Sequence, residues 1–232
     1  MPDGRRLPSW IEQVWLVLQK DLRIELHTGE VVTTSAFFAV LVVVASSLAF
    51  YGGPDTGPWI AAGVIWISIA FAAVLALGRT WQHERDEGAL DGLIVAPLHP
   101  SAVYAAKAGG LVIFLAAVEA VVLPTTALFY SIDLIEAGPG LLTISVLATP
   151  GIAATGSLFG AMTVRTRARD LMLAIVLFPL LAPTLLAAIA ATRQLLAGDA
   201  IAQIGDYLKI LFLFDVVFAV LGALLFGLLV DE

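Results

Sequence analysis

The chain has 232 residues, 60% of them hydrophobic and 13% charged, with a mean hydropathy of +0.97. Soluble domains are about 45–50% apolar and about 25% charged, so this composition excludes an ordinary soluble fold. A net charge of −7 leaves no basic face for nucleic acid, and the absence of cysteine removes disulfides, thiolate metal sites and thioether haem attachment.

Taken in chain order, the first element is an amphipathic helix within residues 1–30. Ile11, Trp15, Leu18, Leu22 and Leu26 recur at three- and four-residue spacing, while Glu12, Gln19, Lys20 and Arg23 lie off that stripe. Ser9 followed by Glu12 fits a capping box, and Gly29 supplies a stop. Such a helix is expected to lie in the membrane interface with its tryptophans at headgroup level, as an anchor or with a further role. Arg5 and Arg6 resemble the start of a signal peptide, but Glu12, Lys20 and Asp21 interrupt its apolar region, so none is expected.

Residues 31–232 read as one permease domain of six spans, at about 33–51, 59–80, 102–129, 141–163, 171–192 and 208–230. Residues 31–51 and 59–78 contain no charge. At about 1.5 Å per residue, roughly 20 residues cross about 30 Å of hydrocarbon. Ten of the twelve Lys and Arg residues fall on one side of this layout: Arg5, Arg6, Lys20, Arg23, Arg79, Arg85, Lys107, Arg165, Arg167 and Arg169. Arg193 and Lys209 fall on the other. The positive-inside rule then places both termini in the cytoplasm.

Between the second and third spans runs "ERDEGALDGLIVAPLHP", residues 84–100, within a loop of about 82–101. Glu84, Arg85, Asp86, Glu87 and Asp91 are too charged for lipid, whereas Leu90, Leu93 and Ile94 share helical spacing that a solvated loop would not need. Pro97 and Pro100 end the segment, and Gly88 permits a tight turn or a close backbone approach. The pattern describes a short amphipathic helix that docks into a groove on a soluble partner or on another membrane subunit; the alternative is a solvated charge cluster.

Two acids fall inside spans, Glu119 in the third and Asp215 in the sixth. Ionised carboxylates in lipid cost at least about 2.5–3.5 kcal/mol, so each is a functional candidate or a hydrogen-bonding tie between helices. Pro179 and Pro183, in "FPLLAPTLL", are expected to break the fifth span where protein packs against it. The stretch 193–207 is expected to form a partly re-entrant hairpin. His27, His83 and His99 all belong to the cytoplasmic side, with no ligand partner at helical spacing, so no metal site is expected. No nucleophile elbow and no phosphate-cradling glycine loop occur; without a Gly-x-x-x-x-Gly-Lys-Ser/Thr motif, the chain cannot hold ATP by that route.

Glu87-Gly88-Ala89-Leu90-Asp91-Gly92-Leu93, then Pro97, with Lys107 opening the next span, resembles the cytoplasmic motif of the CcmB family of cytochrome c-type biogenesis proteins, also called haem exporter protein B. "QKDLRIELHTGE" at 19–30 and "FPLLAPTLL" at 178–186 agree with it, and the resemblance covers most of the chain. The acidic balance departs from the family pattern, while the core motif is intact. The resemblance implies an all-α integral membrane protein with the type-2 ABC exporter permease fold, a non-catalytic subunit in the inner membrane of a prokaryote. It implies a separate ABC ATPase that supplies ATP hydrolysis, a second permease copy, other cytochrome c maturation proteins and a periplasmic haem chaperone. Residues 84–94 would then be the coupling helix. Haem would associate through the complex, as cargo or on the released chaperone. The competing readings are a type-2 ABC permease for a lipid, polysaccharide or drug, and a membrane-embedded enzyme or channel.

Overall fold

In a computed structural model of the chain, residues 8–50, 57–86, 98–163 and 169–230 are described, with side chains except at 81–86, 161–163, 169–174 and 228–230. The described residues form seven helices and no strand: α1 (Trp10–Thr28), α2 (Glu30–Ala49), α3 (Gly57–Asp86), α4 (Pro100–Tyr130), α5 (Leu134–Thr163), α6 (Arg169–Leu196) and α7 (Gly205–Val230). The last six are long and apolar enough to span a bilayer.

α1 starts on the expected capping box. Ser9 Oγ accepts from the Glu12 backbone N–H, and Glu12 Oε2 accepts from the Ser9 N–H at 2.7 Å. Gly29 ends α1 with φ +62, a left-handed conformation open to glycine, and α2 begins at the next residue.

The spans pack around α3 and α5. Trp66, Ile65, Ile69 and Leu77 of α3 and Ile144 and Ile152 of α5 are fully buried, whereas α2 and α7 expose long apolar faces. Lipid tails are as apolar as leucine, so close fit and hydrogen bonds hold such helices together. Glycines provide the fit: Leu77 lies over Gly156, Leu195 over Gly140, and the Tyr104 ring occupies the space a Cβ on Gly222 would need. The Tyr104 hydroxyl ties three helices, facing the Phe218 carbonyl of α7 at 2.9 Å and the Ala154 carbonyl of α5 at 3.2 Å. Trp66 Nε1 donates to Thr192 Oγ1 at 2.8 Å, joining α3 to α6.

The helix ends sort into two sets. At one end, Arg79 pairs with Glu30, and Pro100 packs on Gly227. At the other, Gly57 meets the Tyr130 carbonyl, and the Arg193 guanidinium lies 3.9 Å over the Trp59 ring. Among the described side chains, Lys20, Arg23, Arg79 and Lys107 belong to the first end, and Arg193 and Lys209 to the second.

Three expectations change. α5 starts at Leu134 rather than near 141, because Asp133 Oδ1 accepts from the Ile135 N–H and so caps the first turn, and the helix then continues through Pro139. Pro179 and Pro183 do not break α6, which runs through both; Pro179 is exposed, while Leu177, Leu181 and Thr184 form the buried face. The stretch after Arg193 completes α6 to Leu196 and then forms a compact turn plugged by buried Ile204, with Gly198 at φ +98 and Gln203 Oε1 accepting from the Ala200 N–H. It is not a re-entrant hairpin.

Replacing Gly222 with leucine should force Tyr104 out of its seat and destabilise the fold by about 1–3 kcal/mol. Thermal melting in lipid nanodiscs checks this, with Gly63→Ala, where no atom lies near the added methyl, expected to melt like the parent.

Candidate functional site: a polar junction beneath the acidic segment

α1 has three faces, not two. Part of its apolar stripe points outward, with Ile11 74%, Trp15 58% and Leu26 84% exposed, while Leu18 and Leu22 are half-buried and Leu18 lies over Gly110 of α4. Glu12 and Arg23 are exposed on a second face. The third, Gln13, Val17, Asp21 and Glu25 at four-residue spacing, is buried against the protein. The buried side of this amphipathic helix is thus its mostly polar one, because Gln13, Asp21 and Glu25 meet polar groups of the helices beneath it.

Each polar residue on that third face satisfies a neighbour. Lys107, seven residues into α4, has a 2% exposed side chain, and its Nζ lies 2.8 Å from Asp21 Oδ2, 7% exposed. Lys20 Nζ adds a second cation 3.4 Å from Asp21. Glu25 reaches past the Gly29 turn and accepts from the Val31 and Val32 N–H groups at 3.1 and 2.7 Å. α2 has no side-chain cap at Gly29, so Glu25 supplies the acceptors and the negative charge that a helix N-terminus favours. Gln13 accepts from the His99 N–H at 2.8 Å and donates to the Pro8 carbonyl at 2.8 Å. Trp10 Nε1 donates to Ser101 Oγ at 3.1 Å. The chain emerging from the acidic segment at Leu98–Ser101 is therefore fastened to α1 at once.

The acidic segment itself falls elsewhere. Glu84, Arg85 and Asp86 lie in the helical backbone at the end of α3, without described side chains; Glu87, Gly88, Leu90, Asp91, Leu93 and Ile94 lie outside the described residues.

The two intramembrane acids flank α5. Glu119 of α4 is buried and accepts from the Thr149 hydroxyl. The Ser145 hydroxyl, one turn earlier, lies beside the same carboxyl outside hydrogen-bonding geometry. Asp215 of α7 is half-buried and seated against Gly151, where any Cβ would collide with its Oδ1. Thr149 and Gly151 are two residues apart and so face opposite sides of α5. The two acids grip the Thr149-Pro150-Gly151 step from opposite sides.

At the other end lies a cleft of about 220 Å³ lined by Pro58, Ser131, Asp133, Glu136, Leu196 and Asp199, among others. It contains no histidine. Among the described residues, no cluster of His, Asp and Glu could hold a metal.

Sequence reading placed the lysine and the 19–30 stretch in one motif set but did not pair Asp21 with Lys107. The available signal was a second four-residue period, 13, 17, 21 and 25, beside the apolar one.

The fold and this junction define a multi-pass, all-α membrane protein whose N-terminal helix is docked by its polar face. Residues 12–230 match the family model described as CcmB protein, and the chain belongs to that family. It is 30% identical over 187 residues to heme exporter protein B of Paracoccus denitrificans, covering 78% of this chain and 83% of that protein. Heme exporter protein B of Bradyrhizobium diazoefficiens is 27% identical over 186 residues, covering 78% and 82%. That of Rhodobacter capsulatus is 29% identical over 181 residues, covering 73% and 78%.

Removing one partner of a buried ion pair strands the other charge and costs about 3–5 kcal/mol. Asp21→Ala and Lys107→Met should each lose about that much in reversible unfolding from lipid–detergent mixtures. The double variant should lose clearly less than the sum of the two.

Proposed function

We propose that this chain is the membrane permease subunit of an ABC-type complex in cytochrome c maturation, in the inner membrane of a prokaryote with both termini cytoplasmic. A separate ATPase hydrolyses ATP, and this subunit couples that event to haem delivery or to release of a haem-loaded periplasmic chaperone. The observation that carries the reading is the family match over 12–230, with relatives named heme exporter protein B on three-quarters or so of the chain. The sequence has no phosphate-cradling motif of its own, so the energy comes from a partner.

In this reading, residues 84–94 seat in a groove of the ATPase. Leu90, Leu93 and Ile94 are the apolar anchors, while Glu84, Asp86, Glu87 and Asp91 meet basic groups and Arg85 an acidic one, setting orientation more than affinity. Gly88 allows the close approach. The junction explains how displacement of the segment would travel. Its exit at His99–Ser101 is tied to α1, α1 is pinned to Lys107, and Glu25 holds the start of α2. These helices would shift together as a lever, and Glu119 would carry the motion to the middle of α5.

Haem is treated as cargo held elsewhere in the complex. The three histidines, His27, His83 and His99, belong to the α1 end and the flanks of the acidic segment, and there is no cysteine. By sequence, neither histidine nor cysteine falls at the opposite end, which suits a mechanical role.

The test is capture of the ATPase by a Leu90→Asp, Leu93→Asp double variant in native membranes. Loss of apolar anchors at an interface centre should weaken capture by about tenfold or more. Unchanged capture and unchanged ATP turnover would remove the coupling role from this segment.

A further inference from the structure

Among the described residues, three carboxyl side chains are buried: Asp21, Glu25 and Glu119. The first two have what an anion requires. Asp21 has Lys107 at 2.8 Å and Lys20 at 3.4 Å. Glu25 has two backbone N–H groups at the positive end of α2. Glu119 has neither a cation nor a helix N-terminus. It meets two hydroxyls of α5, one turn apart: Thr149 donates to its Oε1, and Ser145 Oγ lies beside the carboxyl without a partner. Both hydroxyl residues are themselves buried, Ser145 at 5% and Thr149 at 3% exposure.

No charge faces this site from the elements packed on α4. α2 after Glu30, α3 before Arg79 and α5 after Glu136 carry no ionisable acid or base. Glu30 and Arg79 pair with each other at the α1 end, where the charges of α1 also lie. On α7, Asp206 pairs with Lys209 at the opposite end beside Tyr207, and Asp215 lies across α5 against Gly151. On α4 itself, Lys107 is more than three turns from Glu119, about 18 Å along the helix, and Tyr104 and Tyr130 are near its two ends. An ionised carboxylate with no counter-charge in a low-dielectric interior neutralises rather than stay desolvated.

The two hydroxyls also have the right inventory. A carboxylate only accepts, whereas a neutral carboxyl needs one donor for its carbonyl oxygen and one acceptor for its O–H, and a serine or threonine hydroxyl can be either. We propose that Glu119 is a proton-binding site within the membrane domain: it is held as the neutral acid at neutral pH, with Thr149 donating to one oxygen and the acid O–H donating to Ser145 Oγ. The proton closes the α4–α5 seam, and it leaves when that seam admits water. This property belongs to the chain and does not rest on the ATPase reading.

Infrared spectra of the full chain in lipid nanodiscs at neutral pH test it. The expected result is a carbonyl-stretch band of a protonated carboxylic acid that moves down in heavy water. The band should vanish in Glu119→Gln and persist in Asp215→Asn. Ser145→Ala and Thr149→Val, each removing one hydrogen bond of the acid, should each shift it to higher frequency. Carbon-13 labelling of glutamate carboxyls should move the band in the unsubstituted chain, so the assignment does not depend on how a variant folds. Glutamine reproduces the donor and acceptor of the neutral acid, so Glu119→Gln should also melt like the parent. A parent spectrum with no glutamic acid band, or a band that Ser145→Ala leaves in place, would overturn the proposal. ATPase capture by the Leu90, Leu93 variant has no bearing on this band, so the two readings fail separately.

Discussion

One buried ion pair, Asp21 with Lys107, sets the arrangement of the α1 end of the molecule. A lysine packed inside a membrane domain needs a counter-charge, and desolvation of both groups is tolerable only with good geometry. α4 has no acid near Lys107 to provide it; α1 does. The requirement turns the polar side of α1 inward, and much of the apolar stripe is then left on the outside of the protein. Trp15 and Leu26 are exposed because Asp21 is buried. Gln13 and Glu25 lie on the same face and use the same docking to hold the start of α4 and the start of α2.

The two halves of the protein solve the packing problem differently. Around α1, charged and amide side chains make the joints. Deeper in, glycines on α5 and α7 let rings and leucines approach the backbone, as with Tyr104 on Gly222 and Leu77 on Gly156. Polar contacts there are fewer: Trp66 on Thr192, the Tyr104 hydroxyl on two carbonyls, and the two acids against α5. Glu119 finds a hydroxyl donor there, and Asp215 rests against the Gly151 backbone.

Much of this layout is legible before any coordinates. Six long apolar runs define six spans, since little but a bilayer crossing explains runs of that length, and Ser9, Glu12 and Gly29 bound α1 by local capping rules. Boundaries fail where a proline is taken as a break. Pro139 sits early in α5, where Asp133 caps the turn, and Pro179 projects from a helix whose other face is packed. α1 shows the deeper limit. Sequence periodicity finds the apolar stripe, but the role of the polar side depends on a residue 86 positions away, Lys107. Such a pairing has no local signature. Nor does the contact of Asp215 with Gly151, which joins helices far apart in the chain.

The central claim is that α1 belongs to the membrane fold because Asp21 neutralises Lys107. Hydrogen exchange of the α1 amides in nanodiscs, compared between the parent and Lys107→Met, tests it most directly. The account predicts α1 amides as protected as those of the spans in the parent, with protection in α1 lost selectively in the variant while α3 and α5 keep theirs. Equal protection of α1 in both, or rapid exchange in the parent, would contradict it.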